Sequence, residues 1–478
     1  MELETKPRTT LLESVLILVF LIGCLGSCII IGHMPPHVPI LMVFVFLCFW
    51  GKWKGYSWDE IHKGISEGIA PGIVPLIIFM LIGVLVSSLI AAGTIPTIVV
   101  YGCEILSANH FLVMSFLICL VVGITVGSSF TTISTMGIVL MTIGTLMGIR
   151  PEYVAGAVIS GAFCANNLSP LADTANLCAA IGDIELVTHL KSVFKTALPT
   201  AIICMVAYTF LDGGAANMDA GLIDGMVEAL KGAFLISPIA LLPIVVILVC
   251  SWRRLPAIPT LLLGAITAFA IYGIYHPSPD QLMLIPQYVM TGYVSNVGIE
   301  TVDTLLSRGG IMSMMGAASM IILALAMGGL LVKLEVVNTL VTHLSHLVTS
   351  GTKLVISTAL GSLLINFSVG EQYLSIILPG STFKSLYKKL NVDMPVLTRT
   401  LADSGSAFNA VVPWGVSGTF IVGTLGLSST AYVLYSFYPL LTPIVTIVVS
   451  ALTMGKKKRL DGVLPGKSGG VGEKDEYY

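Results

Sequence analysis

Eight stretches of this chain run apolar for close to the length a helix needs to cross a bilayer, about 20 residues. They are 12–32, 71–92, 196–211, 226–250, 255–274, 309–333, 353–369 and 430–453. Backbone groups in hydrocarbon must be satisfied within the segment, so an unbroken run of that length has only the helix open to it. Shorter or interrupted stretches lie near 36–50, 111–126, 129–149, 153–178, 370–384 and 395–425. Charged residues make up only 10% of the chain, against about 25% in soluble domains, too few to cover a water-soluble globule. The expected fold is therefore an all-α polytopic membrane protein with 12–14 membrane segments.

Lys6 and Arg8 precede the first run, from Leu11 to Gly32. That run exceeds the ~7–15 residues of a signal-peptide core, so it reads as an uncleaved span. The nine cysteines fall mostly inside apolar segments, without disulfide or zinc spacing, and read as small packing residues.

The interrupted segments break at Gly127, at Asn166 to Pro170, at Gly370 and at Asn409 to Pro413. Those breaks repeat. An offset of 243 residues relates Gly127 to Gly370, Asn166 to Asn409, Pro170 to Pro413 and Phe130 to Tyr373. The spacing points to a duplicated unit: a first repeat over 1–211, an acidic linker at 212–225, a second repeat over 226–454 and a basic then disordered tail at 455–478.

Basic residues show how the two units face. Lys52, Lys54 and Lys63 follow the second span, whereas their counterpart, 275–305, has no Lys or Arg. The loop from His33 to His37 has none, and its counterpart has Arg253 and Arg254. Segment 93–110 has none against Lys333 and Lys353; 144–152 has only Arg150 against Lys384, Lys388 and Lys389. With basic loops cytoplasmic, the halves are inverted and both termini lie in the cytoplasm. Inverted repeats with matching broken helices or re-entrant hairpins place a transport site where the breaks meet near the midplane.

Within "NNLSPLADT" Pro170 cannot donate a backbone hydrogen bond and crowds the carbonyl of Asn166. That carbonyl, with the side chains of Asn166 and Ser169, offers hard oxygen ligands, and Asp173, next to Thr174, offers a balancing charge. In the second half Asp403, Ser404 and Asn409 precede Pro413. Glu371 opens a helix after Gly370, where an acid is also favoured by the helix dipole alone. Intramembrane acids are functional candidates, but each has a plainer alternative: a helix cap for Asp173 and Glu371, or an ion pair with Arg399 for Asp403. The candidate Na+ ligands are Asp173, Asn166, Asn409 and Asp403. The hydroxyl run after Gly127 offers further ligands or, as the plainer reading, close helix packing. His189, with Asp183 and Glu185, reads as part of a solvated cytoplasmic loop.

At these residues the chain resembles the NhaC family of sodium/proton antiporters, through "LSPLADTANL" (168–177), "RGG" (308–310), "EQYLSIILPGSTF" (371–383), and "RTLADSG" with "VPWG" (399–415). The resemblance implies a carrier of the bacterial cytoplasmic membrane exchanging Na+ for H+ by alternating access, with Asp173, Glu371 and Asp403 in its core. Family relatives also carry malate, lactate and other organic solutes. The family pattern Phe-Gly-Asp-Lys/Arg before Leu-Ser-Pro is replaced here by Cys164, Ala165, Asn166 and Asn167, and Ala172 and Ala175 are further departures. An acid–base pair has become two amides, which keeps coupled transport of a small organic acid or amino acid open as the alternative. A channel would want a symmetric filter or a polar pore lining, and an enzyme would want a nucleophile, metal or phosphate motif; neither is present. Expected partners are Na+, H+, the bilayer, a small organic anion or amino acid, and a second copy in a homodimer; nucleic acid is excluded. No cofactor is implied beyond the transported ions.

Overall fold

The computed structural model describes residues 9–28, 32, 34–105, 110–212, 220–253 and 255–461, and every regular element among them is helical. Six helices are long and apolar enough to cross a membrane: Trp58–Ala91, Ser129–Leu146, Leu186–Asp212, Ala257–Tyr275, Ile311–Lys333 and Gly351–Val369. Four more spans exist if each bent helix pair counts as one. The expected 12–14 segments are reached only by adding the shorter apolar helices Leu11–Gly26, His37–Trp53 and Phe111–Val126. Lys6, Arg8, His33, Arg254, linker residues 213–219 and the tail beyond Asp461 lie outside the described residues.

Two of the bent pairs are the interrupted segments around Pro170 and Pro413. Pro151–Leu168 and Asp173–Ile181 meet at 45°, and Met394–Val411 and Val416–Leu425 meet at 42°. Each break is a short extended link. Ser169 and Ala172 have ψ of 128° and 129°, and Val412 and Gly415 have ψ of 110° and 163°.

The glycine breaks also match. Gly127 and Gly370 end the helices Phe111–Val126 and Gly351–Val369 in the left-handed region, at φ 74° and 75°. There a residue without a Cβ is favoured. Each turn is followed by a helix whose N-cap side chain accepts a backbone N–H three residues on: Ser128 from Thr131, and Glu371 from Leu374. A Cβ on Gly127 would lie 2.5 Å from the Cβ of Leu171, and one on Gly370 would lie 3.0 Å from the Cα of Gly415. So in each half the glycine turn is seated on the proline break.

Two expected segments differ. The run 226–250 is not one straight span, since Val227–Ala233 and Pro238–Cys250 cross at 89°. Ser237 caps the second piece and Pro238 occupies its first turn, a local start signal that the continuous apolar character masks. The span expected at 196–211 begins ten residues earlier, at Leu186. His189 is therefore not in a solvated loop. It is fully buried on that helix, with Nδ1 3.0 Å from the Thr398 hydroxyl.

The halves are packed together by buried aromatics. Phe420, on the C-terminal piece of the second broken helix, stacks on Phe79 at 5.1 Å and meets Phe130 at 4.6 Å.

Candidate functional site

The glycine turns and proline breaks surround a cavity of about 740 Å³. Asn166, Asp173 and Glu371 all line it, beside Gly127 and Pro170. The sequence thus brings residues about 200 positions apart to one site. Asp173 is the first residue of its half-helix and is exposed to the cavity; one carboxylate oxygen accepts its neighbour Thr174 N–H at 2.8 Å. Its other oxygen, Oδ2, accepts a hydrogen bond from the Tyr373 phenol, contributed by the helix Gln372–Lys389. Glu371 is buried and accepts the Leu374 N–H at 2.8 Å. It is both the helix cap that its position suggested and a wall of the cavity.

Asn166 joins this cavity to the layer behind it. Its Nδ2 donates to Thr174 Oγ1 at 2.9 Å, across the break, and to Ser406 Oγ at 3.4 Å. The equivalent residue Asn409 also bridges its own break, accepting the Ser417 N–H at 3.1 Å. Thr174 and Ser417 are themselves 243 apart. Asn409 is fully engaged, since its Nδ2 donates to Asn366 Oδ1 at 2.8 Å.

Asp403 is fully buried and is not among the cavity residues. It lies in a π-helical turn, Ala402–Ser406, a distortion frequent at functional sites. Thr196 Oγ1 donates to its Oδ2 at 2.8 Å and Asn167 Nδ2 to its Oδ1 at 3.4 Å. The Arg399 guanidinium is directed to Thr446 and Ser450 instead, at 3.3 and 2.6 Å. Near Asp403, Asn167 Oδ1 and Ser404 Oγ are buried oxygens without a hydrogen-bond partner.

Ser169 and Thr174, also expected at the site, are not among the cavity residues. Ser169 Oγ donates to the Ile124 carbonyl at 2.7 Å, fastening the break to the helix before Gly127. Thr174 is buried behind the cavity. The hydroxyl run after Gly127, more plainly read from sequence as helix packing, does more: Ser128, Ser129 and Thr131 line the cavity.

Sequence reasoning missed Tyr373, Thr196, Asn366 and Gln372, and singled out Asn167 only as a departure from the family pattern. Gln372 lines the cavity with its Oε1 buried and unpartnered. Tyr373 carried the repeat offset to Phe130, which was the available clue; the others are defined by contacts between distant segments.

The described residues lining this cavity include no Lys, Arg or His. Its ionisable acids are two carboxyl groups, each at the positive end of a helix. Such a site holds a cation or a proton, and the helix ends that would attract an anion are already met by the chain's own acids.

Residues 163–455 match the model of the Na+/H+ antiporter family. The chain is 33% identical over 453 residues to the Na(+)/H(+) antiporter NhaC of Alkalihalophilus pseudofirmus, covering 95% of this chain and 98% of that one. It is 29% identical to the arginine/ornithine antiporter ArcD of Halobacterium salinarum, over 94% and 93% of the two chains. It is also 29% identical to the malate-2H(+)/Na(+)-lactate antiporter of Bacillus subtilis, over 88% and 90%.

Proposed function

Since the chain belongs to the Na+/H+ antiporter family, we propose that it exchanges Na+ for H+ across the bacterial cytoplasmic membrane by alternating access. The observation that carries this reading is the cavity in which Asp173 and Glu371 stand among neutral oxygen donors without a basic partner. A carboxylate in such a place holds either a proton or a hard cation, and each expels the other. Asn166, Ser128 and Thr131 supply further oxygens for Na+. Asp403 stands one layer deeper, in the same π-helical turn as Ser406, which accepts from the cavity residue Asn166, and it is linked through Asn167 to the first broken helix. It is the third acid of the cycle.

The cavity is bounded by Pro71, Leu186 and Leu255. Of these, Pro71 and Leu255 adjoin the basic segments at Lys52 to Lys63 and at Arg253, which the charge bias assigns to the cytoplasm. The conformation is therefore inward-facing. The matched bends, the paired glycine turns and the two asparagine bridges at one offset support an inverted repeat, whose halves exchange roles when the site opens outward.

A second reading has one observation in its favour. The cavity is far larger than Na+ alone requires, and its acid-only charge suits the amine or guanidinium of a cationic amino acid. The same charge disfavours malate, lactate or another free organic anion.

The test is reconstitution in liposomes with an acidic interior and a pH-reporting dye. Interior alkalinisation on adding Na+ alone, lost in Asp173→Asn, is the expected result. A response that requires arginine or ornithine in place of Na+ would favour the second reading, and a response that requires malate or lactate would sink both.

A further inference from the structure

At the opposite end of helices Ile73–Ala91 and Ala257–Tyr275 from the acidic cavity lies a second one, of about 230 Å³. Drug-sized ligand pockets run to about 300–1,000 Å³, so this one suits a smaller guest. Its walls are aromatic: Phe234, Tyr272, Tyr275, Tyr288 and Tyr293 come together from four separate segments. The rings form a continuous chain, with centroids 5.9 Å apart for Phe234–Tyr293, 5.1 Å for Tyr293–Tyr288 and 5.7 Å for Tyr288–Tyr272. Tyr272 is 3% exposed and Tyr275 is 42% exposed, which makes one the floor and the other the rim.

One pair of polar side chains in the lining is committed to each other, and His276 also lines the cavity, its ring 4.8 Å from that of Tyr272. The Tyr272 hydroxyl donates to Gln281 Oε1 at 2.8 Å, which leaves the π surface of the ring as what it can offer a guest. No Lys or Arg is among the described lining residues. The segment 275–305, which supplies part of the wall, carries Asp280, Glu300 and Asp303 and no Lys or Arg. Asp303 is engaged locally, accepting from Ser295 and from the Val297 and Gly298 N–H groups, whereas Asp280 is exposed. Aromatic faces around a small cavity, in a segment whose charges are acidic, select cations that are bulky and weakly hydrated. Na+ keeps its water and gains little there.

We propose that this aromatic cavity is a binding site for an alkylammonium group, separate from the transport cavity. The group belongs either to a free solute or to a lipid headgroup, which have the same chemistry at this end. A belt of interfacial tyrosines that only anchors the protein would make no distinction between charged and neutral guests.

The probe is choline, titrated calorimetrically into the full chain in nanodiscs of phosphatidylglycerol alone, against its neutral isostere 3,3-dimethylbutan-1-ol. Choline is expected to bind saturably, and the isostere at least about tenfold more weakly. Tyr288→Leu and Tyr275→Leu are each expected to weaken choline about tenfold, with Na+-driven proton movement unchanged as the measure of folding. Tyr275 is at the rim, so its variant carries the smaller risk to the fold. Equal binding of choline and isostere, wild-type affinity in both leucine variants, or no saturable choline heat would overturn the proposal. Repetition in phosphatidylethanolamine discs separates the sources: weaker choline binding there assigns the site to a headgroup, and unchanged binding assigns it to a solute.

Discussion

The phenol of Tyr373 donates a hydrogen bond to Oδ2 of Asp173, and with it the helix after Gly370 is tied to the half-helix after Pro170. The bond joins the two halves of the chain at the cavity itself. Tyr373→Phe keeps the ring and removes the donor. A hydrogen bond of this kind contributes about 1 kcal/mol, so the KM for Na+ should rise about fivefold with little loss of thermal stability. An unchanged KM in proteoliposomes would mean that the bond does not position Asp173.

Glu371 has two duties, and two substitutions separate them. Glu371→Gln retains an oxygen for the Leu374 N–H, so it should melt like the wild type and fail to exchange Na+ for H+. Glu371→Ala loses the cap as well and should cost about 1 kcal/mol in addition. If Glu371→Gln transports normally, the acid is only a cap.

Lys384 pairs with Asp183 at 2.6 Å, tying the end of the same half-helix to the same helix as Tyr373. The Lys384 ammonium, by hydrogen bond and then by charge, holds the Asp183 carboxyl below its ordinary 3.8. A depressed folded-state value gives stability that is complete above 3.8 and is lost as the pH falls through the lower folded value. Lys384→Met should therefore destabilise equally across the neutral range and match the wild type in strong acid. Asp183 is exposed, so added salt should narrow the difference too. Melting curves against pH and salt check both.

Gly127→Ala and Gly370→Ala should both lower the melting temperature. The left-handed backbone costs a residue with a Cβ about 1–2 kcal/mol. Gly127→Ala should be the worse, because its new methyl meets Leu171 at 2.5 Å whereas that of Gly370→Ala meets Gly415 at 3.0 Å.

An inward-facing cavity predicts sided labelling. Asn176 lines it and is exposed. In a background with the native cysteines replaced, Asn176→Cys should react with a membrane-impermeant thiol reagent in inside-out vesicles and not in right-side-out ones. The reverse pattern would put the opening on the other face.

Some of this site was legible in the sequence because it is written in backbone chemistry. Gly127, Gly370, Pro170 and Pro413 mark breaks wherever they occur, since a left-handed turn and a missing N–H are local facts. Their common offset then announced two similar units. Other local marks were overridden. Ser237 and Pro238 start a new helix that crosses the preceding one at 89°, yet they sit in an apolar stretch that reads as continuous. His189 looked like a loop residue among Asp183, Glu185 and Lys191, and only the packing of Thr398 against it explains why it is buried.

What the sequence by itself determined is the helical membrane fold, the positions of the breaks and the three acids near them. Apolar length and backbone punctuation act over a few residues and need no partner. Which acids share a cavity was decided by tertiary structure alone. Asp173 and Glu371 face one space, while Asp403 is turned away to Thr196 and Asn167. Contacts such as Tyr373 to Asp173, 200 residues apart, depend on how whole helices cross, and no local spacing encodes that.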